Sequence, residues 1–324
     1  MIDGFIMCGI SFPIIGIPSQ LMARDVVFFQ SKKGVKQGDP ISPSLFIIAA
    51  ESLSLMLNNL YENPSFNGFS MATIGPRINH LANADDLIIF CSGKTKTLKL
   101  AVDCLRNYEE CSGQQMNKGK SCFIMDKDIS TKRINIVSRI LQVKKEEFPI
   151  TYLGCPLFIG KKKNEYFADM ATKIIKKISS WQCNRLSTGG KIILIKHALN
   201  TMPIYLLSMC QPTKTIMYQI KKIFANFLRG SKEGKQKYHW VAWDKLYYPK
   251  KEGDIGIRST MDISESLGAK IWWQFRNKDT IWTRFMKAKY SKRIHPMARK
   301  VSYKYSKCWR RMMMIKEEVD HLIQ

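Results

Sequence analysis

Asp85 and Asp86 stand side by side in the apolar run His80-Leu-Ala-Asn-Ala-Asp-Asp-Leu-Ile-Ile-Phe90. Adjacent carboxylates between hydrophobic stretches are costly unless a cation neutralises them, and a bound metal ion is the obvious candidate. The apolar flanks predict two buried strands. The short Asn-Ala-Asp-Asp segment between them predicts a tight turn that lifts the carboxylates to the sheet edge. Such a hairpin could hold Mg²⁺. The plain alternative is a chance Asp-Asp in a surface turn, where Asp is common, so the neighbouring segments must decide.

Upstream, Gly34-Val-Lys-Gln-Gly-Asp-Pro-Ile-Ser-Pro-Ser-Leu-Phe46 is a Gly- and Pro-rich loop that runs into an apolar stretch, Leu45 to Leu60, of helical length. Gly34 and Gly38 permit close backbone approach to a ligand, and Pro40 and Pro43 stiffen the start of the helix. Ser42 followed by Pro43 fits an N-cap and first helical position. Exposed amides there suit a phosphate or a base edge. A simple loop leading into a helix explains the prolines but gives no reason for Lys36-Gln37-Gly38-Asp39 together.

These segments resemble two signature motifs of reverse transcriptases from LINE-type (non-LTR) retrotransposons, most like the plant elements: Gly34-Val-Lys-Gln-Gly-Asp-Pro-Ile-Ser-Pro and Ala84-Asp85-Asp86. Ser112-Gly113-Gln-Gln-Met-Asn117-Lys118-Gly-Lys120-Ser121 is similar to the family's segment that closes the palm. Tyr152-Leu153-Gly154-Cys-Pro156-Leu157 is similar to the element that leads into the thumb. Trp181, Leu186-Ser187-Thr-Gly189-Gly190-Lys191 and Met202-Pro203-Ile-Tyr205 resemble the helical region beyond. The similarity runs from Gly34 to Arg276, with the motifs in the family's order.

The resemblance implies an α+β fold, a partial right-hand polymerase palm followed by a mostly helical thumb-like region. It implies RNA-directed DNA synthesis on an RNA template and DNA primer from deoxynucleoside triphosphates. Two Mg²⁺ ions, roughly 3.5–4 Å apart, serve that chemistry. By motif position Asp85 is a metal ligand, and Asp86 is the neighbouring acid that shapes the site. Gln37 and Gly38 fall near template and nucleotide, and Lys120 falls near the triphosphate. A further aspartate on another palm strand completes the metal site in the family. The only carboxylates before Gly34 are Asp3 and Asp25, and neither has that strand's aromatic- and Lys-rich context. The expectation is therefore a chain that lacks this aspartate and the fingers and does not polymerise alone. Asn83 is a second departure, standing where the family's hairpin carries Phe or Tyr.

Composition agrees with this reading. The chain has 324 residues, with 52 Lys and Arg against 26 Asp and Glu, a formal charge of +26. A polyanionic partner and salt-sensitive binding follow. A basic solvated surface is the alternative, and a non-enzymatic nucleic-acid-binding remnant is the competing function. With 45% hydrophobic residues the chain can build a core. Its 9 Cys show no Cys-x-x-Cys pair, so neither a zinc site nor a disulfide framework is expected, and a reducing intracellular setting, nuclear or cytoplasmic, fits best. The apolar run Phe5 to Pro18 contains Gly and Pro and is too short to span a bilayer, so no membrane partner is expected.

Periodicity gives strand signals interleaved with helices in the first half and mostly helices after a boundary near Glu146 to Ile150. On this pattern the resemblance implies a partial palm, 1–148, a helical thumb or connection part, 149–290, and a basic extension, 291–324. Leu98, Ala101, Val102, Leu105 and Tyr108 share one face of a predicted helix over Lys94 to Cys111, and Gly113 lies beyond its end. Asn164 to Trp181 repeats the pattern with Phe167, Ala171, Ile174, Ile178 and Trp181. Pro203 is expected to break a helix that starts near Gly189. Trp240, Trp243, Tyr247, Tyr248, Trp272, Trp273 and Phe275 could stack on bases, although core packing is the ordinary use of such residues. His80, His197 and His239 read as structural.

Overall fold

A computed structural model describes residues 5–11, 38–70, 75–181, 186–232, 235–236, 242–248, 250–252, 255–292, 294–302 and 304–319. Gln37, Asp25, His239 and Trp240 fall outside them. The chain divides into two compact units, Met1–Glu147 and Phe148–Gln324. Helices and small sheets mix throughout, an α+β architecture with a helical second half.

In the first unit, β1 (Phe5–Ser11) is followed by helix α1 (Ser42–Asn59). The short strands β2 (Phe69–Ser70) and β3 (Arg77–Ile78) pair with each other. Next come β4 (His80–Asn83), β5 (Asp86–Ser92), α2 (Thr95–Ser112), β6 (Cys122–Ile124), α3 (Thr131–Leu141) and β7 (Lys144–Lys145). The main sheet has the order β4-β5-β1-β6-β7, antiparallel except between β6 and β7.

Leu87, Ile89 and Cys91 of β5 alternate toward one face of the sheet. There they meet Leu53 and Leu57 of α1, Leu98, Leu105 and Tyr108 of α2, and Val137 of α3. The apolar stripe foreseen for α2 is this buried face, and the helix ends at Gly113, whose φ of 72° is the left-handed cap that glycine provides. The hairpin differs from the expectation of two buried strands. Only β5 is buried. β4 is the edge strand, with Leu81, Ala82 and Asn83 exposed, because nothing among the described residues covers its outer side.

α1 is capped by a different residue from the one foreseen. Ser42 is the first residue of the helix rather than its cap, and Ile41 holds the cap position without a side-chain bond. Asp39 serves instead: its Oδ1 accepts the Ile41 amide at 2.9 Å and its carbonyl accepts the Ser42 amide at 3.1 Å. Beyond Leu53 and Leu57, α1 leaves Ile41, Leu45, Ile47, Ile48 and Leu55 exposed. Among the described residues, Ser42–Glu62 is the one helical stretch apolar and long enough to cross a membrane by length and composition.

The second unit opens with a hairpin, β8 (Ile150–Tyr152) and β9 (Cys155–Leu157). Its two-residue turn, Leu153-Gly154, takes φ values of 48° and 72°, the doubly left-handed pattern of a tight hairpin. Then come α4 (Ala168–Ser179), α5 (Thr188–Leu194), α6 (Ile204–Met209) and α7 (Lys214–Arg229), the two-strand ribbon β10 (Ser231–Lys232) and β11 (Lys235–Gln236), α8 (Thr260–Asn277), α9 (Ile281–Tyr290) and α10 (Lys307–Val319). Phe167, Ile174, Ile195, Ile220 and Phe224 form one core, with Trp181 against Phe227 at 6.0 Å. A π-helical turn, Ile195–Leu199, follows α5, and the chain turns through Pro203 into α6.

A further cluster joins Trp272 and Phe275 of α8, Tyr290 of α9 and Trp309 of α10, with Trp309 edge-on to Phe275 at 5.3 Å and stacked on Tyr290 at 4.6 Å. Trp243 is buried as well, donating to the Tyr247 hydroxyl at 2.6 Å. Most of the described aromatics singled out in the sequence therefore fill cores. Trp273 and Tyr248 remain exposed, at 44% and 55%.

Candidate active site

The paired aspartates sit where β4 turns into β5. Asn83 pairs with Asp86 across the ladder, leaving Ala84 and Asp85 as a two-residue loop. Ala84 has φ 51°, in the left-handed region that costs a residue with a Cβ about 1–2 kcal/mol. The cost is met by the ladder, which holds Asp85 at the tip and Asp86 as the first residue of a buried strand. Both carboxylates stay half-exposed.

Burial raises the Asp86 carboxyl above its usual range, the charge of Asp85 pushes it the same way, and the Lys120 ammonium opposes both. Lys120 is therefore within electrostatic reach of Asp86. What presents it is Asn117. The Asn117 Oδ1 accepts the amides of Gly119 and Lys120 at 3.1 and 3.2 Å, and its carbonyl accepts the Ser121 hydroxyl at 2.8 Å. This Asx-type turn was encoded in the Asn-x-x-Lys-Ser spacing but not read from it. The preceding segment is fixed by Tyr108, whose hydroxyl donates to Gln114 Oε1 at 2.6 Å, and by Glu109, which accepts the Met116 amide at 2.6 Å.

A small cleft beside the hairpin is bordered by Phe46 and Ser54 of α1, Ala84, Tyr108 and Gln114. The loop-and-helix motif and the Asp-Asp motif thus meet in space. Gly38 is exposed with φ 89°, and a Cβ there would touch nothing within 4 Å. Its backbone is open to a ligand. His80 is structural, as the sequence reading had it: its ring contacts the Ser54 hydroxyl at 2.7 Å and Asn79 Oδ1 at 2.8 Å, and burial lowers its pKa.

A family model described as reverse transcriptase (RNA-dependent DNA polymerase) matches residues 13–157, the span that holds the hairpin, Gly38 and Lys120. The chain carries a retrotransposon reverse transcriptase segment. Relatives agree. The chain is 24% identical over 228 residues to the Transposon TX1 149 kDa protein of Xenopus laevis, covering 69% of this chain and 16% of that one. It is 29% identical over 136 residues to an Arabidopsis thaliana protein named for ribonuclease H, covering 42% of this chain and 22% of that one. A mitochondrial protein of Arabidopsis thaliana is 44% identical over 54 residues, covering 17% of this chain and 44% of that one. The chain spans only about a fifth of the length of the first two relatives. Reverse transcriptases of this non-LTR kind act on nucleic acid templates and nucleotides and generally use divalent metal.

The described part of this reverse transcriptase segment does not fit a two-ion centre. Two divalent ions that close repel, and carboxylates from more than one chain segment must offset them. Among the described residues no group of three His, Cys, Asp or Glu is placed to hold a metal. The strand beside Asp86 in the sheet is β1, whose sequence Phe-Ile-Met-Cys-Gly-Ile-Ser has no carboxylate. What remains among the described residues is one hairpin with two acids and a lysine within electrostatic reach of Asp86.

Proposed function

We propose that this chain forms the primer- and nucleotide-facing part of an RNA-directed DNA polymerase site, working with an RNA template, a DNA primer, deoxynucleoside triphosphates and Mg²⁺. Asp85 is the metal ligand and Asp86 shapes the turn that aims it. Gln37 and Gly38 lie along the template and nucleotide, and Lys120 balances charge on the triphosphate leaving oxygen. Such work belongs in the nucleus or cytoplasm. The observation that carries the reading is the hairpin Asp-Asp pair with Lys120 in electrostatic reach, inside the matched span.

A two-acid hairpin alone cannot place two ions for in-line attack, so the chain by itself is expected to extend no primer above background with Mg²⁺ and nucleotides. Fusing it to a palm segment that carries a further aspartate, taken from an active related element, together with Asn83→Phe, is expected to give measurable extension. Asp85→Ala in that chimera is expected to abolish it while leaving primer–template binding in place. A chimera that binds primer–template yet stays inert, or one indifferent to Asp85→Ala, overturns the reading.

A further inference from the structure

The second unit contains a cavity of about 350 Å³ lined by Lys162, Lys307, Arg310 and Arg311 without one carboxylate among its described lining residues. Its thiols bring no negative charge either: burial pushes Cys210 up to about 11 and raises Cys308. Four cations thus share a half-enclosed space whose dielectric is lower than water, an arrangement that favours an anion.

Arg311 is already committed. It is buried, and its guanidinium donates to the Leu207 carbonyl at 2.8 Å and to the Ser264 carbonyl and hydroxyl. The other three are not matched in this way. Lys162 gives one bond to the Gln211 carbonyl at 2.7 Å. Lys307 lies over the Phe158 ring, 3.5 Å from its centroid, a contact that holds the ammonium without neutralising it. The Arg310 Nε is buried and has no hydrogen-bond partner among the described residues, and an orphaned buried donor calls for an acceptor. Desolvation lowers the pKa of both lysines, and the neighbouring cations lower them further.

We propose that this cavity is a phosphate-binding site, in which Lys162, Lys307 and Arg310 converge on the oxygens of one phosphate group. It lies outside the span matched to reverse transcriptases and does not depend on the Asp85–Asp86 hairpin. The charge and the fork-shaped donor of Arg310 suit a tetrahedral dianion or a backbone phosphodiester better than a carboxylate or chloride.

The test uses the full chain. Calorimetric titration with pyrophosphate is expected to show saturable binding that weakens at least tenfold in Arg310→Gln and in Lys307→Gln. Lys222→Gln, an exposed change on α7, is expected to leave it unchanged. In the unmodified protein, acetylation of Lys307 and Lys162 followed by mass spectrometry is expected to slow when pyrophosphate is present. This second measurement stands even if a variant fails to fold. A mixed-sequence single-stranded RNA separates the sources of the phosphate. If the site holds a backbone phosphate, Arg310→Gln reduces the salt slope of RNA binding by about one. If it holds a free phosphoanion, the RNA slope is unchanged while pyrophosphate binding is lost. Absence of pyrophosphate binding together with unprotected lysines, or binding that survives both variants, overturns the proposal.

Discussion

Ser11 stands directly opposite Asp86 in the β1–β5 ladder. Residues opposite one another in an antiparallel pair share a face of the sheet. Ser11→Asp therefore puts a carboxylate-bearing residue of a second segment at the register position opposite Asp86, the ingredient the hairpin lacks. Mn²⁺ affinity, followed by electron paramagnetic resonance, is expected to rise by about tenfold or more, equivalent to ~1.4 kcal/mol. The gain is expected to vanish when Asp85→Ala is added. An unchanged affinity would mean that β1 does not lie beside the aspartates as described. At this scale much of the site was legible. Asp85, Asp86 and Lys120 stood out by motif spacing, and the structure puts Asp86 within electrostatic reach of both the others. Asn117 and Asp39 were less visible, because a side chain that bonds the backbone two or three residues on leaves no periodic mark. The position of Ser11 could not be read at all. Which strand fills the slot next to β5 is decided by pairing across about eighty residues of chain.

Among the helices, α8 and α10 come close at Gly268. A Cβ built there would come 2.0 Å from Ile315 Cδ1 and 3.1 Å from Arg311 Nε. Ile315 is itself buried, and Arg311 is tied to Leu207 and Ser264, so both neighbours are held where they stand. Gly268→Ala gains up to about 1 kcal/mol of helix propensity. Overpacking outweighs that gain, and a net loss of about 1–3 kcal/mol is expected in denaturant unfolding of the second unit. Ile315→Ala removes the clash, so the double variant is expected to be more stable than the two single changes added together. A Gly268→Ala chain as stable as the parent would refute the close approach. Element by element, amphipathic helices were the readable part: the stripes of α2 and α4 face the cores assigned to them. The Asn164 stretch opens as a 3₁₀ turn before α4 begins, and the Gly189 helix loosens into a π turn before Pro203. Hydrophobic spacing does not distinguish these variants of helix, whose side chains can serve the same core. The exposed face of β4 was misjudged for a related reason. Apolar flanks report which side chains avoid water, not whether the sheet continues beyond them.

The whole molecule carries a formal charge of +26, and its largest described aromatics are spent in cores. Charge, not base stacking, should then dominate nucleic acid binding. Fluorescence anisotropy with RNA and with DNA is expected to give similar affinities with little sequence preference. A plot of log K against log salt is expected to have a negative slope of several units, close to 0.7 per phosphate contacted on a single strand. Binding that ignores salt would contradict this. The same charge has a second effect, on how these molecules treat one another. Helix α1 offers Ile41, Leu45, Ile47, Ile48 and Leu55 to the solvent, an adhesive strip that monomeric proteins usually cover. At low ionic strength, mutual repulsion keeps such strips apart. Salt shortens the reach of that repulsion from about 10 Å at 0.1 M to about 3 Å at 1 M while leaving apolar attraction intact. The buffer that strips nucleic acid from this chain is thus also the one that lets its copies coagulate, and a polyanion at stoichiometric dose acts as a dispersant until it neutralises the charge, beyond which it becomes a flocculant.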